Sequence, residues 1–297
     1  MYEEYKKCML CPRRCGVDRT RGERGFCGAD ATLYAGRAAP HYYEEPCLSG
    51  ERGSGAVFFA HCNLRCSYCQ NREISRGGGI PLSERELTSA FLRLEQEGVH
   101  NLNLVTPTHY LPGIRAALRL ARERGFSLPV VYNCGGYERA EVVGALGDEI
   151  DIFLPDFKYW DGGLAEKFSG APDYRERATE ALRAMVEAVG PPCYDGEGLL
   201  IRGVVVRHLM LPGGLADTKR VLELLWSEFG DAVLLSLMNQ FTPQPGCPEL
   251  GRAVDPAEYD RAVEYAINLG FEEGYIQEEG TVSESFIPAF DGTGLRE

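Results

Sequence analysis

The chain has 297 residues, 44% hydrophobic and 25% charged, with a formal net charge of −13. That length holds one large α/β domain, or a core with a small appendage. The acidic balance argues against broad nucleic-acid binding, which depends on an excess of Lys and Arg. No apolar run approaches the roughly 18 residues needed to span a bilayer. The opening MYEEYKK lacks the pattern of a secretory signal, so the eleven cysteines are expected to stay reduced in the cytoplasm, where metal explains them better than disulfides.

In chain order, residues 1–50 stand apart. They carry Cys8, Cys11, Cys15, Cys27 and Cys47, many arginines and little apolar periodicity. Such a segment buries little by itself and is expected to need a metal staple. From about residue 51 to 280, short apolar runs alternate with amphipathic helices. AVFFA (56–60) reads as a strand, and Ser83 with Glu86 forms a capping box ahead of Leu87, Phe91 and Leu94. NLNLVT (101–106) predicts a second strand, with a helix from Pro112 to near Gly125.

LPVVYNC (128–134) and DIFLPDFKY (151–159) predict the next two strands, with a helix after Tyr137 between them. Ala178, Leu182, Met185 and Val189 mark a longer helix after Asp173, stopped by GPP. RGVVVRHLML (202–211) and AVLLSLMNQF (232–241) are strand-like, separated by a helix over about 217–229. Asp255-Pro256 caps a helix ending at Gly270, and FEEGYIQ (271–277) reads as a short last strand before a C-terminal tail, 281–297. About six βα units with continuous apolar strands imply an α/β fold with a parallel sheet.

In such folds ligands bind at the carboxyl ends of the strands. The polar residues expected there are a cysteine trio after the first strand, Thr106 and His109 after the second and Asn133 after the third. Asp156 and Lys158 follow on the fourth, Arg207 and His208 on the fifth, and Asn239 and Gln240 on the sixth. RGGG at 76–79 lacks the Lys-Ser/Thr of a phosphate loop and reads as a turn. His41, His61 and His100 read as packing or surface residues.

Cys62, Cys66 and Cys69 lie in HCNLRCSYCQ with CxxxCxxC spacing. Iron–sulfur clusters ordinarily take four thiolates; three on one tight loop hold a [4Fe–4S] cube and leave one iron open, the mark of a catalytic rather than a structural metal site. A thioredoxin-like Cys66/Cys69 pair leaves Cys62 unexplained, and a zinc site needs a distant fourth ligand. Cys8, Cys11, Cys15 and Cys27, spaced C-x2-C-x3-C-x11-C, call for a second metal group, either an auxiliary Fe–S cluster or a structural zinc. Cys134, Cys193 and Cys247 read as structural.

CNLRCSYCQN resembles the signature of radical S-adenosylmethionine (SAM) enzymes, and the likeness runs over nearly the whole chain. CMLCPRRCGVDRTRGERGFC, NLNLVTPTHY, DIFLPDFKYWD, VVVRHLMLPG, SLMNQFTP, GYIQEEG and SFIPAFD look most like the branch named after pyruvate formate-lyase activating enzyme.

The resemblance implies a partial (β/α)6 barrel, a [4Fe–4S] cluster on Cys62, Cys66 and Cys69, and SAM on the open iron. It implies reductive cleavage of SAM to a 5′-deoxyadenosyl radical that abstracts hydrogen from a substrate: a glycine of a glycyl radical enzyme, another polypeptide or a small molecule. It also implies an anaerobic setting and a flavodoxin- or ferredoxin-type reductant. The competing class is a metal-stapled electron-transfer or binding protein without SAM chemistry. By the same resemblance, Tyr68 meets the adenine, Arg207 lies near SAM, Asp156 and Lys158 shape the pocket, and Asn239 and Gln240 touch the nucleoside. The second strand reads LVTPTH, so Thr106, Thr108 or His109, with Asn103, take the SAM amino group. Asn133 and Cys134 stand where an acid and a hydroxyl are usual.

Overall fold

The computed structural model describes residues 2–244, 246–277 and 287–296; within the tail 281–297, residues 281–286 and 297 lie outside the described residues. The chain opens with a single helical turn, α1 (Glu3–Lys6), before the Cys-rich loops. Strand β1 (Leu33–His41), the turn α2 (Pro46–Ser49) and strand β2 (Ser54–Phe59) follow, then α3 (Arg72–Ser75), β3 (Ile80–Leu82) and α4 (Glu84–Gln96). The central part is β4 (Leu102–Val105), α5 (Leu111–Arg122), β5 (Val130–Cys134), α6 (Ala140–Gly144), β6 (Ile152–Pro155), α7 (Gly162–Ser169) and α8 (Tyr174–Val189). A short β7 (Cys193–Tyr194) leads into β8 (Leu200–Leu209), α9 (Leu215–Phe229), β9 (Leu234–Met238), α10 (Pro256–Leu269) and β10 (Gly274–Ile276).

These strands form one sheet in the order β10-β9-β8-β6-β5-β4-β2-β1-β3, with β7 paired on β8. Every pairing from β2 to β10 along that path is parallel, while β1 runs antiparallel to β2 and β3 antiparallel to β1. The sheet is open, so the expected partial barrel is what the chain builds. The sequence reading missed β1 and β3, which add an antiparallel edge from within and just beyond the first 50 residues. It also missed α7, whose N-cap is the Asp161 carboxylate accepting from Leu164 N.

The helices end where their caps dictate. Ser83 and Glu86 satisfy each other's backbone N–H at the start of α4, and Asp255 with Pro256 starts α10. One face of the sheet carries Leu104, Tyr132, Phe153, Val204, Val206 and Leu235, packed under Phe91, Leu118, Leu182 and Leu225 of the helices.

Strand side chains alternate with period two, so the other face reads differently. Val131, Ile152, Leu154, Val205 and Leu234 enclose Cys47 and Leu48 of α2, which plugs the concave side of the sheet. Two positions further along, the same face turns polar: Asn133, Asp156, Arg207 and Ser236 rise above this apolar floor. Among the described residues no helix is long and apolar enough to cross a membrane.

Candidate active site

Above the α2 plug lies a cavity of about 340 Å³, bounded by the loop after β2 on one side and by the strand ends on the other. Cys62, Cys66, Tyr68, Cys69, Thr106, Asn133, Asp156, Lys158, Arg207 and Gln240, predicted from the sequence, all line it.

The loop 61–70 is wound tightly. His61 (φ 70°) and Arg65 (φ 55°) both take the left-handed conformation that costs an ordinary side chain energy. Asn63 pins the bend by donating from Nδ2 to Tyr137 O at 2.7 Å, and Ser67 N donates to Phe168 O at 2.8 Å. The sulfurs accept weak bonds, from Leu64 N to Cys62 Sγ (3.4 Å) and from Ser169 Oγ to Cys66 Sγ (3.0 Å). All eleven cysteines are free thiols. Burial, then the neighbouring Cys66, pushes the Cys62 thiol up to about 12 and that of Cys69 to about 11. The Cys62 and Cys69 thiols, held so high, ionise only around a cation, and binding one releases protons. This donor set suits an iron–sulfur group with an unfilled position.

Tyr68 is wedged between Phe168 and Phe241, and its hydroxyl accepts from Tyr159 at 2.7 Å. Its ring locks the loop onto α7. Thr106, a β-branched residue at φ 59°, turns the chain sharply at the mouth of β4, and its N–H is held by Asn133 O at 2.8 Å.

On the floor, Lys158 Nζ meets Asp156 Oδ2 at 2.5 Å; burial opposes the ammonium, but Asp156 keeps it protonated. Arg207 meets two carboxylates absent from the sequence-derived set. It donates from Nε and Nη2 to Glu45 at 2.7 and 2.5 Å and from Nη2 to Glu44, whose other oxygen accepts from Asn103 Nδ2 at 2.8 Å. Burial penalises the Glu45 charge, yet Arg207 holds that carboxyl below its usual range. Arg207 is thus a neutralised cation, not a lone one.

Five predicted residues do not line the cavity. Asn103 lies one layer below, holding Glu44. Thr108 turns away to donate to Glu138 at 2.6 Å. His109 bonds Ala60 O through Nε2 at 2.8 Å, and burial, followed by Arg19, lowers its imidazole to about 3. Asn239 offers its backbone N–H to Gln277 Oε1 at 2.8 Å and leaves its own Oδ1 buried without a partner. His208 alternates with Arg207 onto the helix side, between Phe157 O and Thr218 Oγ1.

Cys8, Cys11, Cys15 and Cys27 surround a second, small cavity with Arg13, Arg14, Arg19 and His109. Cys8 N to Val17 O (3.0 Å) and Gly16 N to Cys8 O (2.9 Å) close a tight knuckle, and Phe26 N donates to Cys15 Sγ at 3.3 Å. Burial lifts the Cys11 thiol to about 12 and raises that of Cys27. Among the described residues, no three His, Cys, Asp or Glu side chains gather closely enough to hold a single metal ion.

Residues 57–225 match the radical SAM superfamily. An uncharacterized protein of Methanocaldococcus jannaschii is 27% identical over 278 residues, 88% of this chain and 75% of that protein. Among solved structures, HydG, a maturase of the [FeFe]-hydrogenase, superposes with a TM-score of 0.52 at 15% identity, over 79% of this chain and 54% of that one. SuiB of Streptococcus suis bound to S-adenosylmethionine gives 0.50 at 14% identity, over 74% and 48%. The chain spans about half the length of each of these two structures, and the likeness is one of fold.

Proposed function

Because the chain belongs to the radical SAM superfamily, whose chemistry uses a [4Fe–4S] cluster and SAM, we propose that Cys62, Cys66 and Cys69 hold that cluster and that the cavity above α2 receives SAM and the substrate. The observation that carries this reading is three free thiols, wound on one loop, lining the same cavity as the polar strand ends. When bound, the cluster supplies the electron that splits SAM into methionine and a 5′-deoxyadenosyl radical, which takes a hydrogen atom from the substrate.

The chain's own residues then have separable tasks. Tyr68, held by Phe168 and Phe241, keeps the loop backbone facing the cavity. Thr106, Asn133 and Gln240 offer neutral hydrogen-bonding groups, and Asp156 with Lys158 presents paired charges suited to a zwitterion. The Arg207–Glu44–Glu45 group and α2 close the floor, so water is excluded from the side opposite the loop. We assign the cluster-bearing barrel to 51–280 and a metal-bound segment to 1–50, with iron–sulfur or zinc on its four cysteines. We place the protein in the cytoplasm, in keeping with eleven free thiols.

For the substrate we favour a glycine of a glycyl radical partner, supported by the motif likeness to activating enzymes. The test is anaerobic: protein, SAM and dithionite, with and without a glycyl-radical-class polypeptide, followed by EPR. A carbon-centred protein radical on the polypeptide supports activation. SAM cleavage without such a radical restricts the reading to another polypeptide or a small molecule, and no cleavage supports the electron-transfer class.

A further inference from the structure

Cys47 and Tyr275 form a pair that the tasks above leave unused. Strand register carries one row of side chains across the sheet: Asp156 pairs with Arg207, Arg207 with Ser236, and Ser236 with Tyr275. Residues paired in a parallel sheet share a face, so Tyr275 of β10 ends the row that faces the cavity, and it lines that cavity. Tyr275 also packs against the cluster that encloses Cys47 of α2, with the thiol within hydrogen-bonding reach of the phenol. The phenol further meets the hydroxyl of Tyr194, which is exposed on β7. Cavity, phenol, buried thiol and surface phenol are thus contiguous.

We propose that Tyr275 and Cys47 form a hydrogen-atom donor pair that quenches a 5′-deoxyadenosyl radical left without a substrate. This rests on the reading above that the cavity generates that radical. The triad sulfurs line the same cavity, so an unspent radical would have the cluster's own ligands within reach. Phenolic O–H and thiol S–H bonds are weaker than the C–H bond of a methyl carbon, so donation to the radical runs downhill. Burial raises the phenol and pushes the thiol up to about 11, so at neutral pH each group enters with its hydrogen attached. Tyr68 lines the cavity too, but its hydroxyl is tied to Tyr159 and Ser169, and the sulfur next in that network, Cys66, belongs to the triad.

The steps balance. The Tyr275 O–H bond breaks homolytically and a C–H bond forms at C5′, leaving a phenoxyl. The Cys47 S–H bond then breaks and restores the phenol, leaving a thiyl. The thiyl takes one electron from the reductant that serves the triad and one proton from water by way of Tyr194 and Tyr275. In sum, SAM, two electrons and one proton give methionine and 5′-deoxyadenosine.

The test is anaerobic turnover in D2O with SAM and dithionite and no added substrate, read by mass spectrometry. Wild type should form 5′-deoxyadenosine carrying a single deuterium, because phenol and thiol hydrogens exchange with solvent and carbon-bound hydrogens do not. Tyr275→Phe should lose most of that label. Undiminished label in Tyr275→Phe, or unlabelled product from wild type, overturns the inference. Cys47→Ala should leave the phenoxyl unrepaired, so freeze-quenched EPR should show a tyrosyl signal that narrows with ring-deuterated tyrosine and is missing from Cys47→Ala/Tyr275→Phe. Absence of that signal from Cys47→Ala overturns the thiol step. Should Tyr275→Phe not fold, the Cys47→Ala signal decides alone. If wild type makes no 5′-deoxyadenosine at all, the triad reading itself has failed, and the pair has no radical to quench.

Discussion

Arg207 and Glu45 face each other across the cavity floor in a two-pronged ion pair, with N···O separations of 2.7 and 2.5 Å and both side chains nearly sealed from solvent. A charge stripped of such a partner is costly to keep buried. Glu45→Ala is therefore expected to destabilise the fold by about 3 kcal/mol, the low end for a broken buried pair because Glu44 still neutralises Arg207. Glu45→Gln should cost less. Urea unfolding of the three proteins measures this, and equal stabilities would contradict the account of the floor.

Arg13 ties the two cysteine segments through three carbonyls and stacks its guanidinium 3.7 Å from the Phe26 ring centre. Arg13→Ala should cost about 2–3 kcal/mol, less than three full charge-assisted bonds because the side chain is partly solvated. Arg13→Lys should not rescue it, since an ammonium cannot span three acceptors as a planar fork does. Limited proteolysis within residues 1–30 should quicken in both variants.

Glu138, almost wholly buried beside Thr108, Tyr132 and Cys134, is pushed by burial from an ordinary 4.5 up to about 8. Its folded form holds a proton that the unfolded chain releases. Its contribution to stability is therefore intact below about pH 4.5 and is lost as the pH rises toward 8, at up to about 1.4 kcal/mol per pH unit. Glu138→Gln should flatten that slope and be the more stable protein at pH 8. A slope unchanged by the substitution would show that other groups set it.

Gly25 has no room for a side chain: a Cβ there would lie 2.6 Å from Cys15 Sγ. Gly25→Ala should displace Cys15 and lower the metal content of the N-terminal site, leaving far-UV circular dichroism unchanged. Retention of the full metal load would contradict the assignment of Cys15 as a ligand.

Much of this was legible before any coordinates. The parallel strands and their flanking helices follow from apolar runs and caps such as Ser83–Glu86 and Asp255–Pro256. Strand ends correctly gathered Asn133, Asp156, Lys158, Arg207 and Gln240 around the cysteine loop. What was hidden depends on long-range pairing. Glu44 and Glu45 look like a solvated acidic pair ahead of a proline, and nothing local says that the following turn plugs the barrel beneath Arg207. β1, nine residues long, and the short edge strand β3 run antiparallel, outside the strand–helix alternation that announces the others. His109 and Thr108 stand in sequence where a ligand contact is expected, but the turn after Thr106 sends His109 toward the four-cysteine cavity and Thr108 to Glu138. Period-two alternation from Arg207 would have placed His208 on the helix side.

The central claim is that the triad holds iron with one position free for SAM. The direct measurement is low-temperature EPR of the reduced, anaerobically reconstituted protein with and without SAM, paired with chromatographic detection of 5′-deoxyadenosine. The account predicts that SAM reshapes the cluster signal and that product forms, both effects vanishing in Cys62→Ala, Cys66→Ala and Cys69→Ala. A signal indifferent to SAM, or product formed without the three cysteines, would contradict it.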